Sequence, residues 1–186
     1  MSQNDPPPQN RAEQNAQDQP EPHEQSQADR HELNQAGLAA DEPFEFPQER
    51  VVLAELSDQP LSLAQAEVEV WADRAGAVVG FSGIVRNHDH GRAVERLSYT
   101  AHPTAAEAIA QVAVDVAARF PTVRVWVAHR VGHLEIGDHA LVAAVASAHR
   151  AEAFQACAEL VEQTKDQVPI WKEQFFADGT REWVGS

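Results

Sequence analysis

The sequence predicts an α+β fold with a mixed or antiparallel sheet over residues 50–186, preceded by a disordered acidic tail over residues 1–49. Three observations carry that expectation. Aliphatic and aromatic residues are almost absent before Phe44, where runs such as NDPPPQN and QDQPEPHEQSQ cannot bury enough surface to offset their chain entropy. Beyond residue 50, short strand-like segments interleave with helical ones. Several of those strands are joined by turn chemistry, which favours hairpins.

RVVLAELS (50–57) reads as a strand, and LSLAQAEVEVWADRAG (61–76) as a helix with Ser62 and Gln65 spaced as a capping box. GAVVGFSGIVRN (76–87) is β-rich and broken by glycines, so a bulge or a close backbone approach is expected. The polar NHDHGRA reads as a mobile loop, and VERLSYTAH as a strand pairing back on the previous one in a long-looped hairpin. Pro103 ends it. Thr104 and Glu107 then form a second capping box for the helix TAAEAIAQVAVDVAARF, closed by Pro121. VRVWVAHRVG and HALVAAVAS are strands flanking the turn HLEIGD. A helix from about Ala148 to Lys165 follows, on which Phe154, Cys157 and Val161 share a face. PIWKEQFF, the turn ADGT and REWVGS make a C-terminal hairpin with Asp178-Gly179 as its signal.

The formal charge is −15, and the tail carries about half: 11 acids less 3 bases up to Arg50, against 18 less 11 from Val51 onward. An acidic chain with no basic stripe is a poor candidate for nucleic acid or anionic membrane. Any anion site must be local. No apolar run approaches the roughly 18 residues of a membrane span, and the tail resembles neither a signal nor a transit peptide, so a cytoplasmic protein is expected. The lone Cys157 excludes an internal disulfide and multi-cysteine zinc patterns, and reads as a small buried hydrophobe.

Only two lysines occur, Lys165 and Lys172, and arginine supplies every other cation of that class. Lys165 is either a helix-end residue favoured by the dipole or a partly desolvated amine. Lys172, beside Trp171 in a strand-like segment, is either a solvated strand residue or a second functional amine. His149 and Arg150 stand at the start of the last helix, where free amides attract anions but cations are unfavourable, a conflict that a bound anion would relieve. Arg86 ends the glycine-broken strand and either reaches into a cleft or caps the strand in water. Arg181, after the last turn, points either back at Lys172 or outward. His88, Asp89 and His90 are adjacent in a flexible segment and make poor metal geometry, and His129, His133 and His139 read as structural. No metal or cofactor is expected.

GAVVGFSGIVRNH, VWVAHRVGHLEIGD, VAAVASAHRAEAF, LVEQTKDQVPIWKEQ and DGTREWV, in this order, resemble the catalytic (large) subunit of molybdopterin synthase. The resemblance spans about Val51 to Val184. It implies an α/β-hammerhead fold with an additional small antiparallel sheet, and a homodimer within a heterotetramer. It also implies a ubiquitin-like sulfur-carrier subunit whose Gly-Gly thiocarboxylate enters the pocket and converts cyclic pyranopterin monophosphate into the molybdopterin dithiolene. Lys165 and Lys172 then correspond to the catalytic lysines, and Arg86, His149, Arg150 and Arg181 to the substrate-binding set. LSYTAHPTAAE departs from the pattern, since relatives usually carry an acidic residue and an aromatic around Thr100 and His102. Two other readings stand beside this one: a non-catalytic dimeric anion-binding module of the same fold, and a sulfurtransferase that uses Cys157.

Overall fold

The structure, a computed structural model, describes residues 47–185. The disorder expected of residues 1–49 lies outside the described residues except for the last three, which enter a 3-10 turn, Pro47–Arg50. The elements that follow are β1 (Val51–Ser57), α1 (Leu63–Val70), β2 (Ala77–Ile84), β3 (His88–Asp89), β4 (Arg92–Ala101), α2 (Ala105–Arg119), β5 (Arg124–Arg130), β6 (Gly132–Glu135), β7 (His139–Ser147), α3 (Arg150–Gln167), β8 (Ile170–Phe176) and β9 (Arg181–Gly185). This is a mixed α+β fold. One sheet has the order β1-β5-β7-β2, with β1 parallel to β5 and the other pairs antiparallel. The second runs β3-β4-β8-β9 with β6 also on β4, antiparallel throughout.

β5 and β7 are apolar at almost every position because both faces of their sheet are covered. Val125, Val127, Leu141, Ala143 and Val145 pack toward α2 and α3, while Trp126, Ala128, Val142 and Ala144 pack toward α1. Full burial of one such aliphatic side chain contributes roughly 1.5–3 kcal/mol. α3 presents Ala153, Ala156, Cys157, Leu160, Val161 and Thr164 to this core, a spacing of three and four residues. Its two alanines allow the helix close to the sheet. Phe154, expected on the same face as Cys157, is instead 61% exposed, because the buried stripe is phased on the small residues.

The expected hairpin between GAVVGFSGIVRN and VERLSYTAH does not form. β2 pairs with β7 from Ala77↔Ser147 to Ile84↔His139, and β4 joins the other sheet beside β8. β2 packs Val79 and Phe81 against the α2–α3 core and Val78 against the α1 core, so burial on both faces outweighs pairing with a sequence neighbour. The intervening segment is a tight turn: β3 closes on β4 through His90 and Gly91, at φ 45° and 79°, the signs that a type I′ turn requires. HLEIGD is likewise more than a turn, since its first half belongs to β6, paired with β4. Both glycine expectations are met. The β2 register shifts between Gly83 and Ile84, and a Cβ on Gly76 would stand 2.5 Å from the Ala148 carbonyl oxygen.

Of the two capping boxes, half of one exists. Ser62 Oγ accepts the Gln65 backbone N–H at 3.3 Å, but the Gln65 amide turns to Glu69, and α1 ends at Val70, short of the expected Gly76. Thr104 makes no cap bond to α2; its hydroxyl meets the His102 ring at 2.9 Å.

Candidate active site

The two lysines meet in one pocket. α3 closes with the Val168 N–H on the Thr164 carbonyl at 3.2 Å, Pro169 cannot continue the helix, and β8 begins at Ile170. This break carries the chain from Lys165 on the last helical turn to Lys172 on the strand. The pocket, about 330 Å³, is lined by Lys165 and Asp166 of α3, Lys172 of β8, Tyr99 of β4, His129 of β5 and Val184 of β9. Register accounts for three of these. Lys172 lies opposite Tyr99 on one side and Val184 on the other, so all three share a face, whereas alternation turns Trp171 away. Lys165 is exposed and Lys172 half-buried, so neither lysine is shut away from water.

His129 ends the β5 row that includes Val125 and Val127, on the side covered by α3. Its Nδ1–H donates to the Arg130 carbonyl at 2.7 Å, and Tyr99 packs edge-on against the ring at 4.9 Å. Burial pushes the imidazole below its ordinary range, opposed by the bond to Arg130. Burial likewise pushes the Tyr99 phenol up. The pocket therefore sets an imidazole biased toward its neutral form and a phenol biased toward its protonated form beside the two lysines and Asp166. His129 read as structural from sequence; the available signal was its place on the inward-facing row of an apolar strand.

A second cluster borders the first. Gln174, two residues beyond Lys172 and on the same face, is buried and donates its amide to Asp89 Oδ2 at 2.7 Å. Arg86 pairs with the other oxygen of Asp89 at 3.1 Å and stays 67% exposed. The Gln174 hydrogen bond, with the charges of Lys172, His90 and Arg86, holds the Asp89 carboxyl below the usual carboxylate range. Asp89 thus ties the β3–β4 turn and Arg86 to the strand that carries Lys172. Sequence reading gave Asp89 and Gln174 no role, because a sequence separation of 85 conceals the contact.

The remaining candidates are not brought to the lysines within one protomer. His149 caps α3 and Arg150 opens it, both exposed, sixteen and fifteen residues from Lys165, or about 22 Å for Arg150 at the helical rise. Beside them Glu152 accepts from the Ser147 hydroxyl at 2.8 Å and from the Thr122 hydroxyl, which fixes the start of the helix. Arg181 lies opposite Phe175 and pairs with Glu173 at 3.2 Å, on the other face of the sheet from Lys172. Cys157 is buried in the α3 core, and burial pushes its thiol up to about 11, the reverse of what a nucleophilic thiol needs. Among the described residues no group of three or more His, Cys, Asp or Glu is placed to hold a metal.

The family model for the MoaE protein matches residues 56–167, which include Arg86, His149, Arg150 and Lys165. The chain belongs to the MoaE family. Among its relatives, the molybdopterin synthase catalytic subunit of Halalkalibacterium halodurans is 39% identical over 131 residues, covering 70% of this chain and 83% of the relative. Catalytic subunit 1 of Mycobacterium tuberculosis is 42% identical over 134 residues, covering 70% and 88%. The crystal structure of molybdopterin synthase from Staphylococcus aureus superposes with a TM-score of 0.67 at 34% identity, covering 72% of this MoaE-family chain and 97% of that one. Lys172 and Arg181 lie beyond the span of the family model.

Proposed function

We propose that this chain is a molybdopterin synthase catalytic subunit, a sulfurtransferase that moves sulfur from the C-terminal thiocarboxylate of a small ubiquitin-like carrier to cyclic pyranopterin monophosphate, forming the dithiolene. The observation that carries the reading is the convergence of the chain's only two lysines on one pocket at the junction of α3 and the second sheet. Both the precursor's phosphate and the thiocarboxylate are anions. Two ammonium groups suit them even in a chain of net charge −15, because a local cluster sets the field within a cleft. Lys165 acts on the incoming thiocarboxylate and the reacting carbon. Lys172 holds the pterin and stabilises the charge that develops as oxygen leaves. Arg86, anchored by Asp89 beside Lys172, supplies a further contact to the phosphate.

The separation of about 22 Å along α3 gives His149 and Arg150 a different route to the same chemistry. They serve the pocket of a second protomer, and Arg181 joins them there. On this reading the working unit is a homodimer carrying two sulfur-carrier subunits, a cytoplasmic heterotetramer with the α/β-hammerhead architecture. The four-stranded mixed sheet and the separate antiparallel one support that architecture.

Reconstitution tests the proposal. With thiocarboxylated Gly-Gly carrier and cyclic pyranopterin monophosphate, the wild-type chain forms dithiolene, while Lys165→Ala and Lys172→Ala each lose roughly 100-fold or more in rate. Both variants turning over at the wild-type rate would refute the assignment.

A further inference from the structure

We infer that His129 is a catalytic residue of the lysine pocket, the base that deprotonates the water releasing the carrier from the sulfurated pterin. The inference rests on the sulfur-transfer reading above and adds a step that the lysines alone do not cover. Sulfur arrives bonded to the carrier's terminal acyl carbon and must remain on the precursor. Once it is bonded to both, the link is a thioester, and the acyl–sulfur bond has to be cut with oxygen supplied by water. A water O–H bond breaks, its proton goes to His129 Nε2, and the oxygen bonds the acyl carbon. The carbon–sulfur electron pair leaves with sulfur as a thiolate on the pterin. The carrier departs as a carboxylic acid that ionises in solvent, and the imidazolium returns its proton to water. No oxidant or reductant is needed.

The groups facing this space from each element are few. Lys165 and Lys172, as ammonium groups, have only donors, so they stabilise the oxyanion and the thiolate but accept no proton. Tyr99 stays a phenol in its buried setting. The Thr164 hydroxyl is spent on the Leu160 carbonyl at 2.7 Å. Asp166 is exposed to bulk water at the end of α3. His129 is held by its own strand: a carbonyl accepts only from N–H, so the 2.7 Å contact to Arg130 fixes the proton on Nδ1 and leaves the lone pair on Nε2. Tyr99, edge-on to the ring at 4.9 Å, limits its rotation. Burial shifts the ring toward its neutral, proton-accepting form, opposed by the hydrogen bond to the Arg130 carbonyl.

Three readouts on the full chain test this. Histidine 15N NMR of the wild type at pH 7 should show His129 protonated on Nδ1 and free on Nε2; a proton on Nε2 overturns the inference without reference to turnover. His129→Asn keeps an N–H for the Arg130 carbonyl but has no base. In a single turnover with thiocarboxylated carrier and precursor it should slow dithiolene formation about 100-fold or more. A covalent carrier–pterin adduct should build up in the intact-mass spectrum, and the fall in rate at acidic pH expected of the wild type should vanish. Precursor affinity should stay within about twofold, which a merely structural role for the ring would not leave intact. A His129→Asn rate within about threefold of wild type, or loss of rate without the adduct, overturns the assignment while leaving the sulfur-transfer reading standing. A wild-type chain that forms neither dithiolene nor adduct sinks that reading, and the His129 assignment falls with it.

Discussion

Co-expressing an Arg150→Ala copy and a Lys165→Ala copy under different affinity tags, and keeping only dimers that carry both, tests how the pocket is assembled. Arg150 opens α3 and Lys165 lies on its last turn, about 22 Å apart at the helical rise, far beyond the reach of one side chain. If each pocket takes Lys165 from one protomer and Arg150 from the other, one site of the mixed dimer carries both substitutions and the other carries neither. Losing a charged contact to the phosphate costs about 1.5–3 kcal/mol, so the Arg150→Ala homodimer should fall roughly 10- to 150-fold, and the Lys165→Ala homodimer about 100-fold or more. The mixed dimer should then recover about half the wild-type rate of dithiolene formation. If each pocket were built within one protomer, every site would keep one defect. Activity of the mixed dimer no higher than that of the two variants would therefore refute the shared pocket.

Removing the thiol of Cys157 should leave turnover unchanged, since it lies in the core away from the lysines; loss of sulfur transfer by Cys157→Ala would revive the thiol mechanism. With its thiol pushed up to about 11, only about one molecule in a thousand is ionised at pH 8, so iodoacetamide should label the native chain at least about 100-fold more slowly than a free cysteine. The folded value lies above the unfolded one. The corresponding stability, about 2–3 kcal/mol, is therefore fully present below pH 9 and lost as pH rises toward 11, and urea midpoints should fall less steeply there in Cys157→Ala. Asp89→Ala should raise the KM for the precursor about three- to tenfold with little change in kcat, and lower stability by about 1–3 kcal/mol by leaving the Gln174 amide unpaired. Asp89→Asn, which keeps an acceptor for Gln174, should recover the stability but not the KM, and an unchanged KM in both variants would free Arg86 of its role.

Local chemistry made much of the fold legible. The apolar runs of β5 and β7, the Asp178-Gly179 turn, Pro169 after α3 and the glycines of β2 each act within a few residues, so their consequences follow from the sequence around them. Partner choice between strands was not legible. β2 and β4 are sequence neighbours, yet they belong to different sheets, because β2 buries both faces only beside β7. Helix phase was misread for a related reason: Phe154 is the larger apolar residue, but the sheet selected the alanine stripe that allows closer packing.

By itself the sequence nominated most of the side chains to which the proposed chemistry is assigned. Two lysines in a chain that otherwise uses arginine, and the ordered motifs that resemble molybdopterin synthase, single out Lys165, Lys172, Arg86, His149, Arg150 and Arg181. Tertiary structure decided how they are grouped. It set Lys165 and Lys172 in one pocket with His129 and Tyr99, tied Arg86 through Asp89 to the strand that bears Lys172, and left His149 and Arg150 at the far end of a rigid helix. The physical reason is reach: residue identity is fixed along the chain, whereas a site requires groups within a few ångströms, and only β-sheet register and helix length decide which of them arrive there.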